Sequence, residues 1–322
     1  MDKPITSVLI PAYNAAAFLP NCLDSVRNQT YRDLQVVIVD DGSKDDTLAI
    51  CQGYASDDSR IEVYHQENQG VAATRNYLLD HAKGNWILFV DADDWIELDM
   101  VEYLVNLAQS HTADFVMCDR VINDAEPSRE EHKVFELDQE HAIEDFLHHR
   151  YFVGALWNKL FKREATEGVR FNKEIWYGED ALFTWGVLQY TQKVVVSSKQ
   201  LYHQYMNEES ISHQPFGFKK LTGHQTWAII SEDVKKRWPR FTELVLGTFA
   251  RSDMYLLQQA SMDGYPKDDY IKELQRNVRK NYRYLVPRLK NDKKILVMAT
   301  IIMYWYGFGR VYYAFHKLKH LK

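Results

Sequence analysis

Cysteine is scarce in this sequence: three in 322 residues, Cys22, Cys51 and Cys118, an odd number with no short spacing between them. That excludes a disulfide framework and the paired spacing of a structural zinc site. Internal repeats and low-complexity tracts are lacking as well, which excludes a solenoid. The chain also lacks a clear bilayer-spanning run. Its apolar segment "ILVMATIIMYWYGFG", residues 295–309, falls short of the roughly 20 residues required. A strand-like stretch, "SVLIPAY", begins at residue 7, so no signal peptide is expected and a reducing cytoplasm is the natural compartment.

Hydrophobic residues make up 46% and charged residues 26%, the balance of a folded chain with a core of ordinary size. Charge is unevenly spread. Pro266 to Lys322 carries 14 Lys and Arg against 4 Asp and Glu, net +10, so the overall −6 leaves −16 on the remainder. A basic tail on an acidic body suits an anionic partner. The tail mixes its charge with the apolar 295–309 run, flanked by Lys293, Lys294 and Arg310. An anionic membrane surface fits that mixture, and nucleic acid does not. A buried helix or a homodimer contact is the other use for such a run.

Over the first 125 residues two periodicities alternate. Apolar runs stand at 7–13, 34–41 ("LQVVIVDD"), 61–65 ("IEVYH"), 86–93 ("WILFVDAD") and 114–119 ("DFVMCD"). Helical stripes lie between them, the first formed by Phe18, Leu19, Cys22, Leu23 and Val26. This predicts an α/β fold with a mostly parallel sheet and helices on both faces. Ser43 and Asp46 in "DGSKDDT" read as a helix-capping signal. Residues 126–175 carry no interpretable motif. A helix is expected over 179–190, a strand over 193–198, and largely helical structure beyond about 220, where Leu274, Val278 and Leu285 form an apolar stripe.

Ligands of such sheets bind beyond the carboxyl ends of the strands. Three runs end there in suggestive residues: "PAYN" (11–14), "DDGS" (40–43) and "DADD" (91–94). The last puts Asp91, Asp93 and Asp94 at the end of a buried strand. Like charges about 4 Å apart repel by about 4 kcal/mol at an effective dielectric of about 20. A divalent cation resolves the conflict, since Mg2+ or Mn2+ is commonly held by one or two carboxylates plus substrate phosphate oxygens. Asp91 and Asp93, two apart in an extended segment, share a side and can converge.

Three stretches, "SVLIPAYNAAAFLPNCLDSVRNQTYRDLQVVIVDDGSKDDT", "NQGVAATRN" and "FVDADDW", resemble the family-two glycosyltransferases with the GT-A fold. The likeness is dense over 5–110 and thinner through "WNKLFKRE" (157–164), "YGEDALF" (177–183) and "SIS" (210–212). It implies that Pro11, Ala12, Tyr13 and Asn14 border a nucleotide base, with Tyr13 stacking, and that Asp41 accepts a hydrogen bond from it. It implies Asn68 and Arg75 near the diphosphate, Asp91 and Ala92 by the ribose, and Asp93 as direct metal ligand with Asp91 beside it. Asp180 resembles the base that takes the acceptor proton, with inversion at the anomeric carbon. His203 is implied as an added metal ligand, and Tyr205 stands where many relatives have Arg.

A sugar nucleotidyltransferase would want a glycine-rich loop where this chain reads "PAYNAAAF". A processive synthase would want several membrane spans and Q-x-x-R-W, where "VKKRW" stands. The expectation is a GT-A domain over 1–220 and a helical, basic, membrane-associating region over 221–322. It moves a sugar, UDP-linked, onto a glycan or lipid-linked acceptor at the inner face of the cell membrane. The alternative is a non-catalytic sugar-nucleotide-binding subunit.

Overall fold

A computed structural model describes residues 6–123, 125–128, 130–152, 154–206 and 215–289, with 297, 300, 301 and 303–307 beyond them. The "SIS" motif and most of the 295–309 run lie outside the described residues.

The described chain begins with strand β1 (Thr6–Ala12), helix α1 (Leu19–Arg27), β2 (Leu34–Asp40), α2 (Thr47–Asp57), β3 (Ile61–His65) and α3 (Val71–His81). It continues through β4 (Trp86–Phe89), β5 (Trp95–Ile96), α4 (Met100–His111) and β6 (Phe115–Ile122). The stretch without a legible motif folds as β7 (Val134–Asp138), α5 (Gln139–His148), β8 (Lys159–Lys162) and α6 (Arg163–Thr166). Then come α7 (Glu179–Leu188), β9 (Lys193–Gln204), α8 (Phe218–Arg237), α9 (Thr242–Met262), α10 (Asp269–Lys280) and α11 (Tyr282–Leu289).

The strands form one sheet in the order β3-β2-β1-β4-β8-β6-β9-β5, with β7 also on β9. β3, β2, β1 and β4 are parallel, as strand–helix alternation demands. β8 inserts antiparallel between β4 and β6, while β6 and β9 again run parallel. β2 is buried at every position and β1 at all but Pro11, so these strands carry near-continuous apolar runs without alternation. The stripe of α1 buries Leu19, Cys22, Leu23 and Val26 against that sheet's core.

Ser43 does not cap α2. The N-cap is Asp46, without a side-chain bond, and Asp45 Oδ1 takes the Thr47 N–H (3.1 Å) and hydroxyl (2.6 Å). Ser43 Oγ instead accepts the backbone N–H of Asn14 at 2.9 Å, a partner from another strand end that sequence spacing does not reveal.

The chain divides into two compact units, and not at residue 220. The first holds 1–146, 151–173 and 183–207; the second holds 147–150, 174–182 and 208–322. The correction comes from chain-distant contacts. Within the second unit Thr222 Oγ1 accepts the backbone N–H groups of Trp176 and Tyr177, and the carbonyl of Leu147 accepts from Thr248 and Arg288.

In the second unit Leu274, Val278 and Leu285 are buried, with Ala250, Met254 and Leu257 in the same cluster, as their stripe predicts. Met303 and Tyr306 from the apolar run join this core, while Tyr304 and Trp305 are exposed. The buried use of that run therefore holds for two of its residues. No helix among the described residues is long and apolar enough to cross a membrane.

Candidate active site

Parallel pairing draws the first two suggestive strand ends together. Ala12 lies opposite Asp40 in register, and the N–H of Asp41 donates to the Ala12 carbonyl at 2.8 Å. The neighbouring strand reaches the same edge, with Val90 N–H on the Leu9 carbonyl at 3.1 Å. Beyond β1 the chain turns through Asn14, at φ 48°, a left-handed conformation that Asn tolerates better than most residues. The Asn14 carboxamide accepts from Lys44 N–H at 2.8 Å, so the PAYN and DDGS segments are laced to each other. Tyr13 is left half exposed, while Ala12 is buried and Pro11 partly so.

Asp41 is already engaged within the protein. Its carboxylate accepts from Gln66 Nε2 (2.7 Å), Gln69 N–H (2.9 Å) and Gly70 N–H (2.9 Å), and it is 4% exposed. What it does in this structure is hold the 66–70 loop to the end of β2. Asn68 adds to the same tie by donating to the Asp41 carbonyl at 2.9 Å. Gly42 makes this closeness possible. It sits at φ +74°, and a Cβ there would meet the Asn68 nitrogen at 2.8 Å. Asp40 is fully buried and paired with His65 at 2.7 Å, consistent with support of the strand end.

The three carboxylates after β4 separate by role. Asp94 is buried and accepts from the Tyr202 hydroxyl (2.6 Å) and the Tyr205 N–H (2.7 Å). The same hydroxyl accepts the Asp91 N–H at 3.2 Å. Tyr202 thus pins both ends of the turn, and Trp157 stacks on its ring at 4.6 Å. Asp91 and Asp93 are only partly buried and remain available at the edge. Burial, then the charge of Asp91, pushes the Asp93 carboxyl up to about 6. Burial and both neighbouring carboxylates push Asp94 up to about 8.

Arg75 answers part of this repulsion. Its guanidinium reaches Asp91 Oδ1 at 3.3 Å and lies 5.6 Å from the centre of the Phe171 ring. The side chain is nearly buried, so this is a fixed cation and not a surface helix residue. Among the described residues no cluster of three or more His, Cys, Asp or Glu could close around a metal. Two oxygen donors under mutual repulsion fit a hard divalent cation that completes its shell with phosphate oxygens and water.

His203 has other partners than the expected metal. Its Nε2 is 2.6 Å from Glu97, its Nδ1 is 3.4 Å from the Asn123 carbonyl, and its ring stacks on Trp95 at 5.0 Å. The β5–β9 pairing, with Trp95 opposite His203, sets this arrangement. Tyr205, in the place of an expected Arg, packs its ring on Phe18 at 5.0 Å.

Asp180 stands in the first turn of α7, after Gly178 at φ +89°. It belongs to the second unit, whereas the strand-end residues belong to the first. Trp176 and Tyr177, just before it, are each 39% exposed.

Sequence reading missed Tyr202, Glu97 and Phe171. Their partners lie 111, 106 and 96 positions away, and only the pairing of β5 with β9 and the fold of the 170s segment bring them near. Tyr202 stands among polar neighbours in "KQLYHQ", so no run or periodicity marked it.

Likeness to known proteins agrees with this geometry. The chain is 34% identical over 223 residues to the putative glycosyltransferase EpsH of Bacillus subtilis (strain 168), covering 66% of this chain and 63% of that one. It thus spans less than two thirds of that relative's length. S. aureus TarS 1–349 in complex with UDP-GlcNAc superposes with a TM-score of 0.61 at 19% identity, over 87% of this chain and 91% of that one. Mannosyltransferase PcManGT from Pyrobaculum calidifontis, in complex with GDP-Man and Mn2+, gives 0.56 at 16% identity, over 94% and 88%. At such identities the two structures speak for the shared GT-A fold alone. The model of Glycosyl transferase family 2 matches residues 7–170, about half the chain. With its strand-end acids gathered on one sheet edge, the chain belongs to glycosyl transferase family 2.

Proposed function

We propose that this protein transfers a sugar from a nucleotide diphosphate sugar, UDP-linked, to a hydroxyl of a glycan or lipid-linked acceptor, with inversion and without processivity. The observation that carries the reading is the Arg75–Asp91 pair beside Asp93, with Tyr13 half exposed at the end of β1. TarS binds UDP-GlcNAc and PcManGT binds GDP-Man with Mn2+, which supports a nucleotide-sugar donor and a divalent cation.

In this reading Tyr13 stacks on the base, and the 11–14 and 66–70 segments wall its site. Asp91 and Asp93 would hold Mn2+ or Mg2+, with Arg75 keeping Asp91 oriented. A cation held there would supply charge neutralisation for a diphosphate leaving group. Asp180 takes the proton of the acceptor hydroxyl as its oxygen bonds to the anomeric carbon and the bond to the diphosphate breaks. One displacement on one face inverts the centre. His203 stays with Glu97 and outside the metal set.

The exposed Tyr304 and Trp305, with the basic residues of α10, support a peripheral seat on an anionic membrane surface at the cytoplasmic face.

Calorimetric titration of UDP, GDP, CDP and TDP, with and without Mn2+, tests the core of the proposal. Mn2+-dependent binding of UDP is the expected result. Failure of all four on folded protein overturns it.

A further inference from the structure

The second unit holds a small cavity of about 120 Å³ between α8 and α10, lined in part by Phe218, Thr222, His224, Gln225, Tyr270 and Glu273. Two large rings stand in that lining without being buried. Phe218 is 60% exposed and Tyr270 46%, and their rings meet edge to face at 5.8 Å. Leaving such area in water costs roughly 25 cal/mol per Å² of apolar surface, so the pair gains by being covered.

The polar part of the lining is arranged in advance. His224 Nδ1 is 2.8 Å from Asp253 Oδ2, and Asp253 is fully buried and also takes the Asn277 carboxamide at 2.8 Å. That bond orients the imidazole and leaves Nε2 on the side of Glu273, 3.5 Å from its Oε1. This separation is long for a hydrogen bond. The Glu273 side chain is 54% exposed. A brace between α8 and α9 would need only His224 and Asp253. It would not need an exposed carboxylate and two exposed rings around the same cavity.

We infer that the cleft between α8 and α10 is a saccharide-binding subsite that takes one sugar unit of the acceptor glycan. A pyranose has an apolar C–H face and a rim of hydroxyls. The Phe218 and Tyr270 rings take the face, since the negative face of a π-system attracts polarised C–H groups. The Glu273 carboxylate accepts from neighbouring hydroxyls, while His224 Nε2 and the Gln225 amide supply the remaining polar contacts. The exposed Glu273 carboxylate disfavours an anionic ligand, Asp253 being buried and paired with His224. The volume is well below the roughly 300 Å³ of a pocket for a drug-sized molecule, so it accommodates a single ring of a chain that runs on outside. Thr222 ties this wall to the acceptor side: its hydroxyl oxygen accepts the N–H groups of Trp176 and Tyr177, the residues leading into Gly178, Glu179 and Asp180.

The inference rests on the proposal that the acceptor is a glycan. Saturation-transfer NMR on the full chain tests it, with the methyl glycosides of glucose, galactose, mannose, N-acetylglucosamine and N-acetylgalactosamine as probes. At least one glycoside is expected to receive saturation. Its affinity should weaken about tenfold in both Glu273→Gln and Tyr270→Ala, the worth of one hydrogen bond to a charged group or one stacked ring. It should be unchanged in Asp93→Asn. No saturation of any glycoside, or equal binding by the two cleft variants, overturns the subsite. Calorimetry with UDP and Mn2+ on the same samples separates the readings. UDP binding without glycoside binding removes only the subsite, and glycoside binding without UDP binding removes only the donor reading.

Discussion

The guanidinium of Arg75, on α3, lies 3.3 Å from the carboxylate of Asp91, which follows β4, and the Arg75 side chain is nearly buried. The ion pair joins two strand-end segments and sets one fixed positive charge against three carboxylates. Removing one partner of a largely buried pair leaves the other charge without compensation.

Arg75→Met is therefore expected to lower stability by about 1–3 kcal/mol, discounted from a fully buried pair because Asp91 is partly solvated. Nucleotide binding should weaken by at least about tenfold, the value of one charge-assisted hydrogen bond. Urea denaturation and calorimetry read the two effects. Unchanged binding would remove Arg75 from the donor site.

Asp93 supplies a pH dependence of definite sign. Its folded-state carboxyl titrates at about 6, above the ordinary 3.8, because of burial and the charge of Asp91. Between those two values the folded protein holds a proton that the unfolded chain releases. Metal-free stability should therefore fall as pH rises from about 4 to 6, by about 1–3 kcal/mol from this group. Asp93→Asn should remove that share, so the metal-free variant is the more stable one at pH 7 while losing Mn2+-dependent nucleotide binding. Denaturation curves for both proteins from pH 4.5 to 7.5 give the difference. Parallel pH profiles would refute the account.

Asp180→Asn keeps the size of the side chain and removes the carboxylate proposed as the base. Nucleotide affinity should stay within about twofold, while transfer falls by about 100-fold to 10,000-fold, the usual contribution of a general base. Normal turnover would pass the role to Glu179.

Tyr202→Phe deletes one oxygen that serves both Asp94 and the Asp91 N–H. Buried polar groups left without a partner cost about 1–3 kcal/mol, and that loss of stability is expected here. Because the Asp91 backbone is freed, metal-dependent nucleotide binding should weaken as well. A stability loss with unchanged nucleotide affinity would make Tyr202 a core residue only.

The ends of β1, β2 and β4 were legible because parallel strands with both faces covered write themselves as apolar runs, and each run closes on a polar cluster. The stripe of α1 and the Leu274, Val278 and Leu285 face were legible for the same reason, periodicity. The division into units was not. Helix α7 begins in one unit and ends in the other, and no shift of composition marks Leu147–Arg150 or Glu174–Leu182 as belonging with α8.

By itself the sequence determined the α/β class, the shared edge of the PAYN, DDGS and DADD segments, and the clustering of carboxylates there. These follow from local pattern and side-chain chemistry, which each residue carries wherever it is. Only the tertiary structure decided what each polar group does with its hydrogen bonds. It turned Asp41 inward to three donors, gave His203 to Glu97, and placed Tyr202 under the Asp91–Asp94 turn. A buried polar group must find a partner, and that partner comes from whichever distant segment the sheet order sets beside it.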